Sequence, residues 1–144
     1  MRQAVLCLML VVVSEFAVAS PLLGARALRC QTAAGTATTW EVGHPNSKPS
    51  ESVLAYSVQD IDTARGRATM VGRGGSAQVT VFRTASTLSF LEQASNGGVF
   101  LTTVFVSTLA GPGPGRFVAV DSRHNPLIGD PVSSQFHGWC EVIQ

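Results

Sequence analysis

Charged side chains are scarce in this 144-residue chain: Asp, Glu, Lys and Arg make up 13% of it, and ten cations against nine anions leave a formal charge of +1. About half the usual ~25% charged content excludes a disordered polyelectrolyte. The near-neutral balance supplies no field that would steer the chain onto nucleic acid or an anionic surface. Beyond the N-terminal leader, no stretch sustains the i, i+3, i+4, i+7 recurrence of an amphipathic helix, which excludes a helical bundle. Catalytic and cofactor motifs are missing too. Gly72-Arg73-Gly74-Gly75-Ser76 has no following Lys-Ser/Thr and no helix to make it a phosphate loop, and Asp60-Ile61-Asp62-Thr63 lacks the Gly and distant Glu of a calcium loop. No Ser sits in a nucleophile elbow. The three histidines, His44, His124 and His137, have no metal-ligand spacing, so neither a metal nor a cofactor is expected.

What is present begins with an address. Arg2 precedes the apolar run Ala4–Val13, and Ala17-Val18-Ala19 offers the small residues a signal peptidase requires, so cleavage is expected after Ala19. Ten residues rise about 15 Å as a helix, half of a ~30 Å hydrocarbon core, which is too short to remain as a span. The expectation is a secreted or periplasmic protein with no membrane span after cleavage. One lysine, Lys48, beside eight arginines in the mature chain fits the coding bias of a GC-rich bacterium.

Cleavage removes Cys7 and leaves Cys30 and Cys140. A single pair in an oxidising compartment has one connectivity, so a Cys30–Cys140 disulfide is expected. A loop of roughly 100 residues closed in this way is assigned about 4.7 kcal/mol by the chain-entropy model.

The mature chain reads as short β-branched and aromatic runs separated by Gly-, Ser-, Asn- and Pro-rich breaks. Val99–Thr108 is the plainest strand, and the Gly- and Pro-rich run 111–115 ends it. Others are expected at residues 37–42, 53–58, 67–71, 77–82, 87–90, 116–121 and 136–142. Ser95-Asn96-Gly97-Gly98 supplies a hairpin turn. Connections too short for crossover helices make neighbours antiparallel. The domain organisation is therefore a signal peptide over 1–19, a flexible lead-in over 20–36 and one β domain over 37–144. Its fold class is all-β: a compact antiparallel eight-stranded barrel or a two-sheet sandwich, closed by one disulfide.

Over roughly residues 37–143 this layout resembles that of calycin-type barrels such as lipocalins and avidins. Trp40 stands on the first expected strand, with Thr38 where a lipocalin carries the Gly of Gly-x-Trp. The resemblance implies a secreted protein that binds a small ligand.

Two longer connections, 43–52 and 122–134, each carry His, Asn and Pro, and long loops on a rigid sheet are where function concentrates. The densest polar cluster is Asp121-Ser122-Arg123-His124-Asn125. Arg123 is suited to gripping an anion and His124 to moving a proton, with Asp121 and His137 as further catalytic candidates. A Ser122–His124–Asp121 triad is excluded, because residues so close in sequence cannot aim at one another. Tyr56, Phe105 and Trp139 are the candidate ligand-lining aromatics. Phe100 and Phe105 fall on opposite strand faces, as do Phe136 and Trp139.

The leading expectation is a non-enzymatic binding module for a small apolar ligand, or for an extracellular protein partner. A small secreted hydrolase or isomerase using Asp121, Arg123 and His124 is one alternative, and a structural or inhibitory secreted protein the other.

Overall fold

A computed structural model describes residues 20–106, 113–126 and 130–143. The expected leader and part of the 111–115 run lie outside the described residues.

Among the described residues, nine strands follow a short 3-10 turn at Pro21–Gly24. They are β1 (Leu28–Glu41), β2 (His44–Ser50), β3 (Ala55–Asp62), β4 (Arg67–Gly72), β5 (Gly75–Arg83), β6 (Thr87–Gln93), β7 (Val99–Phe105), β8 (Arg116–Pro126) and β9 (Pro131–Val142). The order across the sheet is β2-β1-β3-β4-β5-β6-β7-β8-β9, and β1 returns to pair with β9. Eight strands, β1 and β3–β9, thus close into an up-and-down antiparallel barrel, and a sandwich is excluded.

Each of the eight expected strands is present, and β2 is an addition where a loop was expected over 43–52. Strand β1 is long enough to have two partners on one side. Its start (Leu28–Gln31) pairs with β3, and its end (Gly35–Glu41) pairs with β2 across a turn at Val42-Gly43. Pro45 and Pro49 conceal β2 from a sequence reading, yet it is an edge strand and so has positions that need no N–H donor. The same two prolines blunt the outer edge of β2 against pairing with other chains. Residues 20–36, read as a lead-in, contribute the 3-10 turn and the first part of β1. Thr32-Ala33-Ala34-Gly35-Thr36 has weak β-propensity of its own, and it is held as a strand by pairing with β9 on both sides of a bulge at Ala33.

Period-2 alternation fills the barrel. Leu28 and Cys30 (β1), Val58 (β3), Ala68 (β4), Val79 and Val81 (β5), Leu88 and Phe90 (β6), Val104 (β7), Ala119 (β8) and Cys140 (β9) form one buried cluster. In β3 the register slips between Gln59 and Asp62, with Asp60 at φ +52°. That bulge turns Ile61 inward three residues after Val58 and keeps the core continuous. One end of the barrel is plugged by fully buried Leu22 of the 3-10 turn. The plug is fastened by hydrogen bonds from the Ile61 N–H to the Arg26 carbonyl (3.0 Å) and from Arg26 Nη1 to the Ile61 carbonyl (3.1 Å).

The seam between β1 and β9 runs from Leu28↔Val142 to Thr38↔Ser133, with a bulge between Thr32 and Ala34. Cys30 lies opposite Cys140 within it, and the two form a disulfide inside the barrel. Gly138 faces the bulge so closely that a Cβ there would meet the Gln31 carbonyl oxygen and come within 2.6 Å of Thr32 Cα.

Candidate functional site

With one end plugged, the other is open. Its mouth holds a cavity of about 470 Å³ bounded by the start of β3, the β4–β5 hairpin, the end of β6 and the inner faces of β7 and β8. Val53, Leu54, Met70, Ala77 and Phe100 give it apolar walls, the Arg73–Gly75 turn forms part of the rim, and Tyr56, Glu92 and Arg123 bring polar atoms. A volume within the ~300–1,000 Å³ of small-molecule sites, with few convergent polar groups, is the usual composition of a ligand pocket.

The floor of the mouth is a buried polar layer. Asp121 is 2% exposed, and both its oxygens are engaged. Oδ1 accepts from Arg123 Nε at 2.7 Å, while Oδ2 accepts from the hydroxyls of Tyr56 (3.3 Å) and Thr102 (3.1 Å). Tyr56 and Thr102 also lie 3.2 Å apart, oxygen to oxygen. Burial, reinforced by the negative charge of Asp121, raises the Tyr56 hydroxyl well above the ordinary tyrosine pKa, so it stays protonated and donates. Among the described residues no buried side-chain polar atom lacks a partner, so the layer is a completed network.

Arg123 links this layer to the cavity. Its guanidinium carbon lies 5.3 Å from the centroid of Phe100 and 5.9 Å from that of Phe136, a cation between two aromatic rings. Its side chain is 28% exposed. Strand parity places it there. Asp121 and Arg123 alternate with outward Ser122 and His124 along β8, and Arg123 pairs in register with Phe100 of β7.

Comparison with protein-family models, with curated proteins and with solved structures finds no match. Geometry alone must therefore identify the site.

Of the cluster expected to carry chemistry, Asp121 and Arg123 point into the barrel and His124 points out of it. The wall separates them. His137 also lies on the outer face, opposite Val120, and His124 stands four residues further along β8, about 13 Å away along the strand direction. No proton-transfer geometry joins these two imidazoles. Among the candidate ligand-lining aromatics, Tyr56 lies at the mouth. Phe105 follows buried Val104 on the outer face of β7, and Trp139 lies outside β9 beneath the guanidinium of Arg116, 5.1 Å from its centroid. The inward partners of these two, Phe100 and Phe136, are the rings that flank Arg123. Nothing in sequence singled out Phe100, Leu54, Met70 or Glu92. The alternation Phe100, Thr102, Val104 held the signal for Phe100, but only once Val104 was known to face inward.

Besides a small polar depression of about 230 Å³ beside Ser122 and Gln135, two further depressions lie away from the mouth. One of about 790 Å³ follows β3 and β4 and is lined by Arg26, Asp60, Asp62, Arg67 and Gln78. The other, about 440 Å³, lies between Trp40, His124 and the β8–β9 hairpin, with Pro126 and Pro131 beside it. No three His, Cys, Asp or Glu side chains among the described residues group as metal ligands, and no described helix is long and apolar enough to cross a membrane.

Proposed function

We propose that this protein is an exported, non-enzymatic binding module that holds a small, mainly apolar ligand in the mouth of its barrel. The observation that carries this reading is the 470 Å³ cavity with apolar walls over a fully hydrogen-bonded polar floor. A rigid, satisfied floor beneath an apolar chamber suits binding, because the chamber buries apolar surface and the floor orients the guest. Catalysis is less well served. The imidazoles lie outside the wall, and inside it the Asp121 carboxylate is held by three donors rather than poised to take a proton.

Export is part of the reading. It rests on the leader motif, and a disulfide fits an oxidising compartment. The inner face is largely apolar, while the outer one mixes polar Gln78, Thr80, Ser122 and Gln135 with exposed Phe82, Val99 and Leu101.

The test uses N-phenyl-1-naphthylamine, a neutral probe that fluoresces in apolar surroundings. The disulfide-bonded protein is expected to bind it with saturable, blue-shifted emission. Ala77→Trp, which puts an indole into the chamber, is expected to abolish that signal while melting cooperatively. Absence of saturable binding by the unaltered protein overturns the reading.

A further inference from the structure

Building on the mouth as a ligand pocket, we infer that its guest is an amphipathic monocarboxylate whose head group is gripped end-on by Nη1 and Nη2 of Arg123. The guanidinium, a planar fork of N–H donors, is held between Phe100 and Phe136 at the floor of the chamber. The other polar groups of the floor are engaged. Asp121 is filled by three donors, and the hydroxyls of Tyr56 and Thr102 are turned onto it. Arg123 commits only Nε to this network. Among the described residues no hydrogen bond from Nη1 or Nη2 is present, which leaves the planar end of the fork toward the chamber. A carboxylate matches that fork with two parallel charge-assisted bonds, where an alcohol offers one neutral oxygen and an amine repels it.

Glu92 limits the choice further. It lines the same mouth but makes no ion pair with Arg123 among the described residues. The register explains the separation: Glu92 pairs with Phe100, and Phe100 pairs with Arg123, so β7 and its inward ring stand between them. Two strand spacings set their backbones about 9.5 Å apart. A guest seated on Arg123 therefore extends its apolar body along Leu54, Met70 and Ala77 and passes a fixed negative charge. A second anionic group held beside Glu92 is repelled, whereas one that reaches the Arg73 turn at the rim meets a cation.

The experiment is calorimetric titration of the full disulfide-bonded protein with matched ligands: decanoate, decanol, decylamine and decanedioate, and 2-naphthoate against 2-naphthol. Decanoate is expected to bind about tenfold or more tightly than decanol, the step supplied by a charge-assisted pair, and more tightly than decylamine. Decanedioate is expected to gain more than decanoate from Glu92→Gln. The naphthoate pair reports whether the chamber also takes an aromatic body, and either body with a carboxylate preference supports the inference. Arg123→Gln is expected to bring decanoate down to the level of decanol. Arg123→Lys preserves the cation beside Asp121, so it retains the fold, and it is expected to keep only part of the preference. Equal binding of decanoate and decanol by the unaltered protein overturns the inference, as does a preference that persists undiminished in a folded Arg123 variant. If N-phenyl-1-naphthylamine binds and none of the carboxylates does, the inference fails and the pocket stands. If the neutral probe does not bind either, the pocket reading itself has failed.

Discussion

Tyr56 is the only tyrosine in the chain, so phenolate absorbance near 295 nm reports a single buried hydroxyl. Burial and the adjacent Asp121 charge raise its pKa in the fold, whereas an unfolded chain ionises it near 10. A raised folded value means that its contribution to stability is complete below about pH 10 and is lost as pH climbs toward the folded value. Alkaline titration of the native protein is therefore expected to show no phenolate at pH 10 to 11. Absorbance should rise only where circular dichroism reports unfolding. A smooth native-state titration centred near 10 would place the hydroxyl in water and remove it from the floor of the mouth. Asp121 and Arg123 were legible in sequence as a polar cluster, since five polar residues in succession at a strand end are conspicuous. What sequence withheld was the face each occupies. His124 neighbours Arg123 in the chain yet stands across the wall from it, because side chains alternate along β8 and only the closed barrel decides which parity is inside.

Among the elements, legibility followed local propensity. Strand β7 declares itself through Val99-Phe100-Leu101-Thr102-Thr103-Val104-Phe105, nearly all β-formers. Strand β2, His-Pro-Asn-Ser-Lys-Pro-Ser, has no such residues and exists because the end of β1 offers it a backbone. The first part of β1 was hidden for the related reason that β9 supplies its partner from the far side of the sequence. Gly138 is where that pairing has least tolerance. A methyl there would strike the backbone of Gln31 and Thr32, which cannot move aside like a flexible side chain. Gly138→Ala is expected to cost about 2–3 kcal/mol, within the range for overpacked sites. Urea denaturation measures it against Gly24→Ala, where a Cβ meets nothing, so the control should change stability by less than about 0.5 kcal/mol. Equal midpoints for the two variants would mean that the β1–β9 approach is looser than described.

At the scale of the whole molecule, the disulfide was readable and closure only as one of two alternatives: eight short antiparallel strands fit a barrel or a two-sheet sandwich, and the cysteine pair left after the expected leader cleavage has one partner choice. The pair spans 110 positions and bridges the seam itself. Replacing both cysteines by alanine is expected to lower unfolding free energy by about 2–5 kcal/mol, the usual range for removing a native disulfide from a small secreted domain. Denaturation of oxidised and cysteine-free protein compares the two directly, and a loss below about 1 kcal/mol would show that strand pairing alone holds the seam.

The position of that joint governs how the molecule can come into being. Its two margins belong to β1 and β9, so local hairpins can pair while the ribbon itself stays open until those margins meet. Maturation then waits on one late encounter between distant parts of the polypeptide, a slow class of event for β-rich folds. Until it happens the ribbon can zip onto a neighbour as readily as onto itself, and yield on expression should hinge on dilution and holdase supply rather than on the durability of the finished cylinder.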